Sequence, residues 1–153
     1  MRKFGRSPQR GVAAIEFAAI LPVLLLLLAL PLFFGRIYWH YTVSQKAVQD
    51  GARYLSSIPL SEMRQPDKVG YSVAVARWIV DSELADLNPG KDQIAVTILC
   101  DNWICDGLAQ PSTVSVGVRM RVYDFILQPS NPLSAGSEGM LLTAVSRMRY
   151  VSN

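Results

Sequence analysis

The chain has 153 residues, half of them hydrophobic, with two cysteines, one histidine and a formal net charge of +3. Residues 1–11 carry four bases and no acid, whereas residues 35–153 carry eleven bases and eleven acids. The excess of positive charge therefore lies in the N-terminal leader, where it indicates membrane topology, and it argues against nucleic acid as a partner. Two cysteines and one distant histidine make no convincing zinc site. No catalytic or cofactor motif is present, so we expect neither an enzyme nor a bound cofactor.

Residues 12–34 form an apolar stretch whose only charge is Glu16. As a helix it would be roughly 34 Å long, enough to cross a hydrocarbon core of about 30 Å. Its fifteen Leu, Ile, Val and Phe residues contribute roughly −4 to −9 kcal/mol to insertion, against about +2.5 to +3.5 kcal/mol for one central acid. The stretch is therefore predicted to insert, with the basic N-terminus kept in the cytoplasm by the positive-inside rule.

The junction between leader and apolar stretch has a specific pattern. Gly11 is followed by four apolar residues, Glu16 and Phe17, and then by the rest of the hydrophobic helix. This order resembles a type IV prepilin or pseudopilin processing site, which places the cut between Gly11 and Val12. Two alternatives stay open: a cleaved secretory signal, whose apolar core is usually shorter, and a plain uncleaved anchor.

An acid within a membrane segment indicates a functional role and a partner group. If a peptidase cuts after Gly11, the new amine of Val12 lies four residues from Glu16, on the same helix face. The amine and the carboxylate can then pair within one chain or between neighbouring subunits. The resemblance to type IV pilins implies that such pairing sets the register of assembly, with Phe17 beside the assembly charge.

The helix is predicted to continue beyond the membrane and to end between Ser56 and Ile58, because Pro59 disfavours helical geometry before it. An amphipathic stripe supports this extension over residues 35–58. Its members recur every three or four residues: Ile37, Tyr41, Ser44, Val48, Ala52 and Leu55. His40 is expected to be an interfacial polar residue between two aromatic anchors.

The first fifty residues resemble the N-terminal region of the TadE-like family, pseudopilin-like proteins of tight-adherence (Flp) pilus systems. The resemblance is carried by short motifs: Arg10-Gly11, Ala14-Ile15-Glu16-Phe17, Leu21-Pro22, Phe34-Gly35-Arg36, Ala47 and Asp50-Gly51-Ala52-Arg53-Tyr54. It implies a minor pseudopilin of the bacterial inner membrane, processed by a prepilin peptidase and serving pilus biogenesis, surface adhesion and biofilm formation. The implied partners are a sister minor pseudopilin, the major Flp pilin, the inner-membrane assembly platform and the lipid bilayer. The alternative is an uncleaved periplasmic scaffold of a secretion machinery.

The remaining chain is predicted to be a small α+β ectodomain. A second helix is expected over residues 67–87, ended by the turn residues 88–90, with Trp78 as a packing residue. Strands are expected over residues 93–100, 113–123 and 140–151, and an exposed loop over residues 128–137. The predicted domains are thus a leader (1–11), a membrane helix (12–34), an amphipathic extension (35–58) and a periplasmic domain (59–153), whose helix packs on about three antiparallel strands.

Cys100 and Cys105 enclose a short loop between the first and second predicted strands. The predicted topology places them in the oxidising periplasm, where paired cysteines normally form a disulfide. Their spacing is not that of a Cys-x-x-Cys redox motif. We therefore expect a structural disulfide.

Overall fold

In the computed structural model of the chain, the described residues are 10–87, 93–123 and 139–151. Residues 1–9 of the predicted leader lie outside these ranges, as do the predicted helix stop at 88–90 and the predicted loop at 128–137. The chain divides into two compact units, Met1–Arg36 and Ile37–Asn153. We describe each unit by itself.

Three helices and three strands make up the described chain, and their order confirms the predicted α+β class. They are α1 (Arg10–Ser56), α2 (Leu60–Met63), α3 (Pro66–Leu84), β1 (Ala95–Cys100), β2 (Thr113–Val122) and β3 (Met140–Arg149). Helix α1 ends at Ser56, within the predicted range. The four-residue helix α2 was not predicted, because so short a segment has no periodic pattern of its own.

The three strands form one antiparallel sheet in the order β1-β2-β3. On β2 every second side chain is buried against the helices, as the alternation in the sequence predicts. These residues are Val114, Val116, Val118, Met120 and Val122. The intervening side chains lie on the opposite face of the sheet, which we call the open face.

Helices α1 and α3 together cover the inner face of the sheet. The buried residues of α3 are Val69, Ser72, Ala76, Val80 and Leu84, and the last part of α1 buries Ala47, Val48, Ala52 and Leu55. Gly51 allows the close approach of these elements, since a Cβ atom there would lie 2.7 Å from Cγ2 of Val80. On the surface, Lys46 Nζ lies 2.6 Å from Glu83 Oε2 and so links α1 to α3.

Two expectations about individual side chains need correction. Tyr41 was placed on the buried stripe of α1, but it is exposed, and His40 is buried in its place at 5% exposure. Trp78 was expected to pack in the core, yet 69% of it is exposed. Trp78 lies two residues from both Ala76 and Val80, so the 100° step of the helix turns it to the opposite side of α3.

The end of β3 is tied to the end of α1. The Tyr150 hydroxyl donates a hydrogen bond of 2.6 Å to the carbonyl of Ile58, and the Val151 amide donates to the carbonyl of Ser56. Burial raises the pKa of Tyr150 above the ordinary value for a phenol. The sheet is thereby fixed to the helical layer at both its face and its end.

Candidate functional site: the membrane helix, its acid and the disulfide loop

The N-terminal part of α1 is a helix without a protein core around it. Large apolar side chains between Ile15 and Phe34 are mostly half or more exposed. Within the described chain, α1 is the one helix long and apolar enough to cross a membrane. Pro22 and Pro31 lie inside it, and the helix continues through both. An isolated helix with such a surface is suited to lipid, where its backbone groups are all satisfied internally.

Glu16 and Phe17 lie close to the start of this apolar surface, and both are exposed. Between Ala13 and Phe34, Glu16 is the single charged residue. Among the described residues, none donates a hydrogen bond to its carboxylate. A carboxylate on a surface that otherwise suits lipid is costly unless it finds a cationic or hydrogen-bonding partner. Glu16 can therefore act as a recognition group for another chain.

The predicted processing site lies in the first turn of α1. The helix begins at Arg10, so both Gly11 and Val12 have helical backbone. Glycine is a weak helix former, so the helix is locally weakened at Gly11. Val12 and Glu16 are one turn apart, as the sequence spacing predicted.

The second candidate region is the loop between β1 and β2. Cys100 and Cys105 form a disulfide with an S–S distance of 2.00 Å, as predicted. Asp101 organises the loop, because its carboxylate accepts hydrogen bonds of 2.6–3.0 Å from the amides and hydroxyls of Ser112 and Thr113. These bonds lower the pKa of Asp101 to about 2, and the bond from the Ser112 hydroxyl is the largest cause.

The same loop presents large apolar side chains to solvent. Trp103, Ile104 and Leu108 are each more than three-quarters exposed. The backbone of the loop is held by the bridge between Cys100 and Trp103 and by Gly107, whose φ of +76° suits glycine. The loop is thus rigid and apolar at its tip.

Sequence reasoning found the disulfide in this loop but missed the role of Asp101. Asp101 and Asn102 both have positive φ, at 49° and 71°. Aspartate and asparagine tolerate that region and hydrogen-bond to nearby backbone. The Asp-Asn dipeptide directly after a strand was the available signal.

The described residues contain no group of three or more histidine, cysteine or acidic side chains that could hold a metal ion. Both regions described above expose large apolar side chains, which makes them candidates for contact with lipid and protein. Neither brings together a nucleophile and a base.

Fold and site together define an α+β protein with one N-terminal helix compatible with a single-pass membrane anchor. Residues 11–53 match the family model described as TadE-like protein. The resemblance noted in the sequence is thereby confirmed for 43 of the 153 residues, and this N-terminal region indicates a component related to the Tad pilus system. No match was found among curated proteins or among solved structures.

Proposed function

We propose that this chain is a minor pseudopilin of a tight-adherence (Flp) pilus, a structural part of the assembly and not an enzyme. The observation that carries the proposal is the placement of Glu16. It is the one exposed acid on an apolar helix, four residues beyond the bond that a prepilin peptidase would cut. The TadE-like match starts at Gly11 and includes both groups.

In this proposal the leader is removed in the cytoplasm and Val12 becomes the N-terminus. Each chain then carries this ammonium group and the carboxylate of Glu16 at the start of an apolar helix, and each of the two groups pairs with its opposite on a neighbouring chain. In lipid, breaking such a pair is strongly unfavourable, because each charge left alone loses its only polar partner. A helix therefore docks beside a neighbour in the register that joins the amine of one chain to the carboxylate of another.

The proposed location is the bacterial inner membrane, with the unit Ile37–Asn153 in the periplasm. Four bases before the apolar stretch support a cytoplasmic N-terminus. The disulfide between Cys100 and Cys105 supports an oxidising compartment for the second unit. The proposed partners are the prepilin peptidase, a sister minor pseudopilin, the major Flp pilin and the assembly platform. Adhesion and biofilm formation are the proposed outcome.

The variant Glu16→Gln tests the proposed role of the carboxylate. We expect it to reach the membrane fraction as well as the wild type, because loss of the charge removes an insertion cost. Co-purification with the major pilin and pilus output should both fall. Glu16→Asp, which keeps the charge, should retain part of the co-purification and part of the pilus output. Ile20→Gln, which introduces the same amide one turn away, is the control for the effect of a polar side chain in the membrane helix. Unchanged co-purification and pilus output in Glu16→Gln would refute this role.

A further inference from the structure

The open face of the sheet is basic. Four arginines lie on it, two towards each end: Arg119 and Arg121 at one end, and Arg147 and Arg149 at the other. Among the described strand residues, this face carries no acid. Even with Arg121 left out of the count, Arg119, Arg147 and Arg149 outnumber Asp101, the acid just beyond β1. The face is therefore suited to an acidic partner.

Between the two pairs of arginines the open face has a trough of about 270 Å³. The larger side chains of Leu99, Arg119 and Val145 line it at the sides. Its floor is made by short side chains at the centre of the three strands: Ala95, Thr97, Ser115, Gly117 and Thr143. Such a floor leaves room for large side chains from another molecule. Along β2, Arg119 and Arg147 (opposite Ser115) are separated by four residues, which is about 14 Å. Arg119 and Arg149 (opposite Thr113) are separated by six residues, which is about 20 Å.

On the opposite side of the same unit, α3 exposes two aromatics and two acids, with two bases, Lys68 and Arg77, next to them in the sequence. On α3, Tyr71 and Trp78 are 72% and 69% exposed, and Ala74 lies between them. They are seven residues apart, which is about 10 Å along the helix. Asp67 and Asp81 lie on the same outward side, beyond each aromatic, and are about 21 Å apart. Both acids are exposed.

From these two surfaces we infer that the unit Ile37–Asn153 docks head-to-tail on a second copy of this chain, with the outward side of α3 on the open face of the neighbour's sheet. The two aromatics, about 10 Å apart, fit between Arg119 and Arg147, which are about 14 Å apart. The two acids, about 21 Å apart, match the spacing of about 20 Å between Arg119 and Arg149. Tyr71 and Trp78 are the residue types that most often dominate protein interfaces.

Because the two surfaces are different and lie on opposite sides of one unit, the contact is heterologous. Each copy docked in this way leaves one free surface of each kind, so contacts of this type continue into a ring or a filament. The inference depends on the second unit alone and not on the role proposed for Glu16. A failure of the Glu16→Gln experiment would leave it unaffected.

Cysteine cross-linking of full-length chains in membranes tests the contact. One tagged copy carries Ala74→Cys, a differently tagged copy carries Thr143→Cys, and a short bismaleimide is added. The native cysteines are bridged and do not react. We expect a cross-linked dimer that contains both tags. Two copies that carry the same substitution, either Ala74→Cys or Thr143→Cys, should give little product. A copy with Ser61→Cys, on the exposed side of α2, should also give little product when it is mixed with the Thr143→Cys copy.

Charge exchange tests the complementarity. Adding Asp67→Arg and Asp81→Arg to the Ala74→Cys copy should lower the mixed product about tenfold, because two attractive contacts become repulsive. Adding Arg119→Glu and Arg149→Glu to the other copy should restore it. Absence of the mixed product between folded copies would overturn the inference. So would same-site products of equal yield, or cross-linking only to a different protein.

Discussion

The two parts of α1 show how one helix is built for two different surroundings. From Ile15 to Phe34 its large side chains are mostly exposed, whereas from Ala47 to Leu55 its inward side chains are completely buried against α3 and the sheet. Backbone hydrogen bonding is the same in both parts. The difference is that the first part is apolar on every side, and the second is apolar on one side only. The first is thus suited to lipid and the second to a protein core.

The same leucine substitution in the two parts gives the largest expected contrast. Leu55 is fully buried and Leu26 is 67% exposed. We expect Leu55→Ala to lower the free energy of unfolding of the second unit by about 2–5 kcal/mol, because it leaves a cavity. Leu26→Ala should leave that quantity unchanged. Denaturant unfolding in detergent, followed by near-UV circular dichroism, measures both, and equal effects would contradict the division of α1 into two environments.

A pair of glycines in α1 sharpens the same comparison. A side chain at Gly51 meets Val80 at once, whereas a Cβ atom at Gly35 has nothing within 4 Å. Gly51→Leu should therefore destabilise the second unit by up to about 3 kcal/mol through overpacking. Gly35→Leu, its matched control, should not. Hydrogen exchange of the α3 amides reports the difference, and protection retained in Gly51→Leu would show that the helices are not closely packed there.

Removing the disulfide should affect the second unit and not the membrane helix. For a loop of this length, the chain-entropy model gives roughly 2 kcal/mol of stabilisation. The double variant Cys100→Ser and Cys105→Ser should lose about that amount of unfolding free energy while the amount of protein in the membrane fraction stays constant. If membrane insertion fell instead, the two parts of the chain would not be independent.

Acidification should loosen the loop between β1 and β2, with the smallest effect of the series. The folded-state pKa of Asp101 is lowered from 3.8 to about 2, so its stabilising contribution is present above about pH 4. That contribution is lost as the pH falls through the folded-state pKa. Asp101→Asn should show a weaker dependence of loop hydrogen exchange on pH between about 4 and 2 than the wild type. An identical pH dependence in the two proteins would exclude this role.

The sequence allowed prediction of those elements whose pattern follows a single period. The buried face of β2 follows such a pattern, because Val114 to Val122 alternate with the strand, and most of the buried face of α3 repeats with the helix. On α3, however, the polar Ser72 is buried, whereas Val73, which the predicted face included, is only half-buried. On α1 the three- and four-residue spacing placed Tyr41 on the buried stripe and His40 at the membrane interface. Hydrophobicity favoured the tyrosine, but packing buries the histidine.

The tertiary surfaces could not be predicted in this way. The two pairs of arginines on the open face are far apart in sequence, and only the register of β2 with β3 gathers them on one side. Trp78 was assigned to the core on its residue type, although its phase on α3 places it outside. Residue type alone cannot distinguish a core tryptophan from an interface tryptophan.

The most direct test of the pilus assignment is the N-terminus of the protein extracted from membranes of its producing cells. Intact mass and terminal peptide sequencing identify it, with a strain lacking the prepilin peptidase as the control. We predict a chain that begins at Val12 in the first strain and at Met1 in the second. A chain that begins at Met1 in the presence of an active peptidase would contradict the assignment and leave an uncleaved membrane-anchored protein.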